Sequence, residues 1–248
     1  MIHFSGITTR FPGFMTCFPG FTILFAGIYG HFPGIMVLLS RITTLFPGKK
    51  HQFYIFIPME ALFNSLAWFI PVGDAEKEII STLFTEKQFK KGELFLQEGK
   101  VCRQVGFIIK GIMRYYLTQD GEEKTFYFAK ENEFVSNYES FVPQVPSLKS
   151  IEALEDTTAY VISYDNLNRL YSTMANGERM GRLIIERVFV EALQNLNSFY
   201  ADTPEQRYEK LLLAHPDLQQ RIPQYYIASC VGVKPQSLSR IRKRLSLH

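Results

Sequence analysis

The sequence predicts an α+β protein: an antiparallel β-roll with flanking helices, then a long helix, then a C-terminal helix-turn-helix domain. Three observations lead to this fold class. Short apolar runs alternate with glycine turns over about residues 89–164. A long segment with helical apolar periodicity follows at about residues 176–200. Two short helical patterns joined by a glycine close the chain.

The roll domain is predicted over residues 59–175. It opens with a helical pattern at residues 59–84, in which Asp74 is a candidate N-cap. The strands that follow are separated by turns such as Asp120-Gly121, and no helical pattern lies between them. Strands at this spacing favour an antiparallel roll or barrel over a parallel Rossmann sheet.

Residues 176–200 predict a dimerisation helix, since its apolar residues recur at spacings of four and three. This seam consists of Ile185, Phe189, Ala192, Leu196 and Phe199. An ordinary core helix is the alternative. Further apolar residues widen the face, so we expect part of the helix to pack on the roll: Leu183, Val188, Val190 and Leu193. A homodimer is also what a pair of helix-turn-helix units needs to bind two half-sites.

Residues 201–248 predict the helix-turn-helix domain. Gly232 stands where the first helix must end, because glycine enters the left-handed region at low cost. Pro235 falls at the start of the second helix, where its missing N–H would be unpaired anyway. The predicted buried seam consists of Val231, Val233, Leu238, Ile241 and Leu245.

The remaining residues of this segment form a polar and basic face that suits double-stranded DNA. We predict that DNA is contacted by Lys234, Gln236, Ser237, Ser239, Arg240, Arg242, Lys243 and Arg244. Arginine can bond O6 and N7 of guanine together, whereas Lys243 and Arg244 are better suited to phosphate. The alternative is an amphipathic helix with a solvated basic face.

The distribution of charge agrees with contact to a polyanion at one end. Residues 218–248 carry six basic and no acidic side chains, and residues 1–58 carry four basic and none acidic. The intervening residues 59–217 have seventeen basic against twenty-four acidic side chains, although the whole chain has a net charge of +3. An acidic body with a basic tail is typical of a regulator that touches nucleic acid through the tail.

The first 58 residues repeat a Phe-Pro-Gly-like unit every seven residues, as at Phe11, Phe18 and Phe32. Proline and glycine in most units exclude a coiled coil. The apolar stretch 21–39 is long enough to suggest a membrane span. It contains proline and several glycines, however, so we predict no membrane contact. We expect residues 1–58 to be non-native or disordered and Met59 to be the native start. Intact-mass measurement of protein from its natural locus would test this.

From Met59 onward the sequence resembles the Crp/Fnr superfamily of bacterial transcription regulators, especially its short members. The resemblance rests on residues 89–94 (Phe-Lys-Lys-Gly-Glu-Leu), residues 107–111 (Phe-Ile-Ile-Lys-Gly), residues 151–157 and residues 227–242. It implies a cyclic-nucleotide-binding-like roll, a cytoplasmic location, and RNA polymerase as a further partner. It departs from longer members because the chain stops at His248, so we expect the domain to lack a β-hairpin wing.

The resemblance also implies where an effector would bind. Ser136-Asn137 stands where cyclic-nucleotide-binding members have Gly-Glu, and Lys149-Ser150 stands where they have an arginine followed by Ser or Thr. Glu139 is the remaining candidate for the ribose carboxylate. We therefore predict a regulator that does not depend on cyclic AMP, with Ser136, Asn137, Glu139, Lys149 and Ser150 as the candidate site of an unidentified small molecule.

The sequence contains no pattern that indicates a catalytic site or a metal site. The three cysteines and five histidines have no metal-ligand spacing, and no nucleophile-base pattern or phosphate loop is present. We predict no enzymatic activity, no cofactor and no metal. The alternative function is a cyclic-nucleotide-type small-molecule sensor or scaffold domain that does not act on promoters.

Overall fold

The computed structural model describes residues 59–245. The predictions for residues 1–58, and that of a domain without a wing after residue 245, lie outside the described residues. The predicted order of roll, long helix and helix-turn-helix is confirmed. We number helices and strands in chain order.

The roll consists of two four-stranded antiparallel sheets with the orders β1-β8-β3-β6 and β2-β7-β4-β5. The strands are β1 (Thr85–Phe89), β2 (Leu94–Leu96), β3 (Gln104–Lys110), β4 (Met113–Gln119), β5 (Glu122–Ala129), β6 (Phe134–Val135), β7 (Ser150–Ala153) and β8 (Thr157–Ser163). Large apolar side chains such as Phe107, Ile108 and Ile151 are fully buried in the core of this roll. Each contributes about 1.5–3 kcal/mol by leaving water.

Two helices precede the roll, α1 (Glu60–Ala67) and α2 (Asp74–Leu83). The prediction of Asp74 as N-cap of α2 is wrong, because the N-cap is Gly73. The Gly73 N–H donates to the Glu76 carboxylate at 3.0 Å. Asp74 is instead the first helical residue, where its charge interacts favourably with the helix dipole.

After β6 come α3 (Tyr138–Phe141), α4 (Tyr164–Thr173) and the long helix α5 (Gly177–Ala201). Two glycines let α5 approach α4 closely. A Cβ at Gly177 would lie 2.5 Å from the Tyr171 carbonyl oxygen, and one at Gly181 would lie 2.8 Å from the Tyr171 ring. Packing of α5 is therefore tight, but its buried residues lie in the first two turns.

Part of α5 packs on the roll, as predicted, through Met180 and Ile184, but most of the residues that widen its apolar face do not. Val188, Val190 and Leu193 are 41%, 52% and 44% exposed, and only Leu183 is half-buried. The buried residues of α5 all lie in its first two turns, whereas these later apolar side chains stay exposed.

The C-terminal domain contains α6 (Pro204–Ala214), α7 (Leu218–Arg221), α8 (Gln224–Val231) and α9 (Pro235–Leu245). Its core includes the buried residues Tyr208, Leu218, Ile222, Ile227, Ala228, Val231, Leu238 and Ile241. Three residues from the outer face of the roll belong to the same cluster: Ile112, Phe128 and Leu154. Three residues of the roll thus contribute to the apolar core of the helix-turn-helix domain.

Candidate nucleic-acid interface

The turn between α8 and α9 has the geometry that the sequence predicts. Gly232 adopts φ 81°, ψ 35°, which is the left-handed region. Its N–H donates to the Ser229 carbonyl at 3.0 Å, and the Val233 N–H donates to the Ala228 carbonyl at 2.9 Å. This is the Schellman arrangement, which satisfies the last carbonyls of α8 and reverses the chain. Pro235 is the first residue of α9, as predicted.

Buried side chains fix the orientation of α9. Leu238 and Ile241 are 1% and 5% exposed and pack in the cluster that contains Val231. Val233 and Leu245 are partly buried against the same cluster. The predicted seam is therefore buried, and it holds the opposite face of α9 towards solvent.

All eight predicted DNA-contacting residues are exposed: Lys234, Gln236, Ser237, Ser239, Arg240, Arg242, Lys243 and Arg244. The Arg244 guanidinium pairs with Glu205 of α6 at 2.9 Å, and the Ser239 hydroxyl donates to the Pro235 carbonyl at 3.2 Å. Arg242 and Lys243 line an open groove beside α6. The structure thus presents one exposed face with five cations and no carboxylate on α9 or the residue before it.

Arg207 connects α5 to the helix-turn-helix and was not predicted from the sequence. Its guanidinium donates to the Val231 carbonyl at 2.9 Å and to the Asp202 carbonyl at 2.7 Å. These carbonyls belong to the last residue of α8 and to the residue after α5, where helix carbonyls lack partners. A movement of α5 therefore has a direct route to the turn before α9.

Arg221 joins the helix-turn-helix domain to the roll and was also missed. Its guanidinium binds the Glu131 carboxylate at 2.6 Å, and it also binds Glu155 and Asp217. Glu131 in turn accepts the Gly111 N–H at 2.8 Å. Glu131, as the principal partner, raises the pKa of Arg221 above its usual value. The positive charge is held by three carboxylates, two of them from the roll.

The predicted effector residues lie beside α3 and β7, where their polar groups have partners within the protein. The Ser136 N–H donates to the Tyr115 hydroxyl at 3.1 Å, and burial raises the pKa of that hydroxyl. The Asn137 amide donates to the Ser147 hydroxyl at 2.7 Å. Ser136 and Asn137 therefore stabilise the loop through internal hydrogen bonds and do not line an open polar cleft.

Lys149 and Ser150 are engaged in the same way. The Lys149 ammonium pairs with the Glu139 carboxylate at 2.6 Å and lies 5.4 Å from the centre of the Phe126 ring. The Ser150 hydroxyl accepts the Glu98 N–H at 3.0 Å. Lys149 is the cation that a cyclic phosphate would need, and it is neutralised here by Glu139, the candidate carboxylate for binding the ribose. Whether these residues hold an effector stays a prediction.

The predicted dimerisation seam of α5 is exposed along its whole length. Ile185, Phe189, Leu196 and Phe199 are 38%, 62%, 51% and 62% exposed, and Ala192 is also exposed. With Val188, Leu193 and Tyr200 they form one apolar arc of about 140°, at about 100° per residue. An apolar arc this wide on one helix marks an interaction surface.

Residues 59–245 hold neither a membrane-spanning helix nor a cluster of metal ligands. No helix there has the length and apolar character needed to cross a bilayer. No three His, Cys, Asp or Glu side chains in this part of the chain form a group that could hold a metal ion.

Comparison with known proteins supports the fold. Residues 86–174 match the cyclic nucleotide-binding domain family. No curated protein matches the sequence.

Several solved structures are similar, each well below 25% identity. FixK2 from Bradyrhizobium japonicum has a TM-score of 0.58 at 17% identity, covering 66% of this chain and 85% of its own. A Eubacterium rectale protein described as a Crp/Fnr-family transcriptional regulator has a TM-score of 0.54 at 17% identity, covering 71% and 84%. The c-di-GMP responsive regulator CLP from Xanthomonas campestris has a TM-score of 0.52 at 15% identity, covering 71% and 92%. Residues 86–174 thus match the cyclic nucleotide-binding domain family, and the chain has the same fold as these solved structures.

Proposed function

We propose that this protein is a DNA-binding transcription regulator of the Crp/Fnr type, which acts as a homodimer in the cytoplasm. Helix α9 reads a pseudo-palindromic operator, and RNA polymerase is a further partner. The observation that carries the proposal is the exposed basic face of α9, held outward by buried Leu238 and Ile241. A helix fixed in this way can enter the major groove with little loss of conformational entropy on binding.

The exposed arc of α5 supports the homodimer. Burying it against a second copy of the same helix would remove several large apolar side chains from water at about 25 cal/mol per Å². A two-fold dimer would also place two α9 helices to read half-sites about 34 Å apart. Dimerisation and operator symmetry thus depend on the same helix.

The contacts of the candidate effector residues support independence from cyclic AMP. A cyclic phosphate would have to displace Glu139 from Lys149, and the site has no arginine for a bidentate contact. We expect no heat of binding when the full chain is titrated with cyclic AMP by calorimetry. Low-micromolar binding would show that this part of the proposal is wrong.

The Arg240→Ala variant tests whether α9 contacts DNA bases. Arg240 lies on the exposed face of α9. Operator fragments would first be selected from random duplexes with the full chain. We expect the variant to lose about 1–3 kcal/mol of affinity for the selected operator and to relax its sequence preference, as for a base-contacting arginine.

Arg169→Ala is the matched control, because Arg169 is an exposed arginine on α4, far along the chain from the helix-turn-helix. We expect it to bind the operator like the wild type. If the selection yields no preferred sequence and binding stays weak, the regulator proposal fails. A sensor or scaffold domain without promoter function would then be the better interpretation.

A further inference from the structure

His215 and Glu133 face each other where the helix-turn-helix domain meets the roll. His215 ends α6, and Glu133 directly precedes β6. Nδ1 of His215 and Oε1 of Glu133 lie 4.0 Å apart, which is too long for a hydrogen bond. Two ionisable side chains from different domains therefore approach each other without bonding.

The imidazole of His215 is buried with one nitrogen unsatisfied. The residue is 8% exposed, and its Nδ1 has no hydrogen-bond partner among residues 59–245. Burial lowers the pKa of this histidine, and the Lys130 ammonium lowers it further, although Asp217 opposes the shift. Because a buried polar atom without a partner destabilises a fold, closing the gap to Glu133 would be favourable.

The carboxyl of Glu133 directs one oxygen to each side of the junction. Oε2 accepts the Lys130 N–H at 3.1 Å, and Oε1 is the oxygen that faces His215. In an ionised carboxylate Oε1 is an acceptor only, and Nδ1 of a neutral imidazole that carries its proton on Nε2 is also an acceptor only. A proton on either atom turns the two facing acceptors into a donor and an acceptor.

The surroundings of the pair carry an excess of negative charge. Lys130 pairs with Asp217 at 2.9 Å, and Arg221 binds Asp217, Glu131 and Glu155. Carboxylates therefore outnumber the cations Lys130 and Arg221 even before Glu133 is counted. Further titratable groups face Glu133 from other elements: Tyr115 of β4, Tyr127 of β5 and Glu191 of α5.

We propose that Glu133 and His215 together form a proton-binding site at the junction, and that the bound proton tightens the packing of the helix-turn-helix domain on the roll. The proton comes from solvent. With it the pair is neutral, and one hydrogen bond joins Nδ1 and Oε1 after a movement of about 1 Å. Without it one more negative charge remains among the carboxylates, and the junction loosens. This inference does not depend on DNA binding.

The direction of the pH dependence follows from the burial of Glu133. Burial raises the pKa of this carboxyl to about 7. The tightening is therefore complete below the usual glutamate pKa and is lost as the pH rises through about 7. The change reaches α7 directly, because the Leu218 N–H donates to the His215 carbonyl at 3.1 Å.

The first arm of the test follows the imidazole in the full chain by NMR. The His215 signal is assigned by its loss in His215→Gln. We expect it to change with a midpoint of about pH 7 in the wild type, because either position of the proton alters the ring. In Glu133→Gln, which cannot ionise, we expect no step at that pH. Glu86→Gln, which removes an exposed carboxylate of β1, is the matched control and should titrate like the wild type.

The second arm measures hydrogen exchange of the Leu218 amide at about pH 6 and about pH 8, corrected for the intrinsic exchange rate. We expect its protection to fall about tenfold in the wild type and to stay constant in Glu133→Gln. The Phe84 amide, which donates to the Ile80 carbonyl at the end of α2, is the reference for opening of the whole molecule.

The two arms give a clear outcome even if Glu133→Gln fails to fold, since the wild type alone compares Leu218 with Phe84. A pH-dependent loss of protection at Leu218 that exceeds the loss at Phe84, together with the neutral midpoint of His215, supports the proton site. Equal loss at both amides, a His215 signal without a step near neutral pH, or an unchanged step in Glu133→Gln overturns it.

Discussion

At the residue scale, the most consequential side chains are charged groups whose partners come from distant parts of the chain. Arg114 lies in the strand sequence Ile-Met-Arg-Tyr-Tyr, where an outward-facing arginine would normally be solvated. It is buried because Tyr226 closes over it from α8. Arg221 was counted as part of the basic tail, yet its charge is held by Glu131 and Glu155 of the roll. The sequence identifies such residues but not their partners.

Glu133 gives a prediction at this scale. It precedes β6, and burial raises its pKa to about 7, although the Lys130 N–H donates to it and opposes the shift. Glu191 and Glu131 raise it further, and His215 Nδ1 lies 4.0 Å away. Because the pKa of Glu133 is raised in the folded state, its protonated carboxyl stabilises the folded protein. This stabilisation is complete at pH values below the usual glutamate pKa. It is lost as the pH rises through about 7.

We therefore expect Glu133→Gln to stabilise the protein at about pH 8 and to change little at about pH 4. The side chain keeps 32% of its surface exposed, so we expect a modest effect of about 1–2 kcal/mol after allowance for solvent. Denaturant unfolding at the two pH values measures it. Glu86→Gln, which removes an exposed carboxylate of β1, is the control. An equal gain in both variants would show that net charge, rather than burial of Glu133, is responsible.

At the element scale, α5 combines two surfaces on one helix. Its first turns pack closely on α4 through Gly177 and Gly181, while the seam from Ile185 to Phe199 stays exposed. The sequence predicted the helix and the seam from periodicity. It did not reveal where packing on the roll ends, because apolar periodicity is the same for a core face and for a dimer face.

Phe189→Asp tests the seam. Phe189 is 62% exposed and lies at the middle of the apolar arc, so a carboxylate there would be buried without a partner in a dimer. We expect dimer dissociation to increase at least tenfold, measured by sedimentation of the full chain. The adjacent Val190→Asp is the matched control, because Val190 is 52% exposed but lies off the arc. Equal dissociation by both variants would contradict a dimer that uses this face, and a monomeric wild type would exclude the homodimer.

At the scale of the whole molecule, the roll and the helix-turn-helix domain are not independent bodies. Ile112, Phe128 and Leu154 of the roll are buried in the same cluster as Leu218 and Ile227. A small domain of four helices has little core of its own, and the roll supplies part of it. The packing of the helix-turn-helix domain on the roll therefore follows from burial of these side chains.

The sequence by itself determined the fold class, the order of the domains, the seam of α5, and the turn at Gly232 and Pro235. These features depend on local rules: glycine in the left-handed region, proline at a helix start, and apolar spacing of three and four residues. Such rules act within a few residues, so they can be seen without the rest of the molecule.

Only the tertiary structure decided which charges are paired and which surface of the helix-turn-helix is covered. Lys149 and Glu139 neutralise each other in the candidate effector site, Arg221 is held by the roll, and β5 packs against α8. These contacts join residues far apart in the chain, and their energies depend on distance and on exclusion of water. Neither quantity is present in the order of the amino acids, and both are fixed only when the helix-turn-helix packs against the roll.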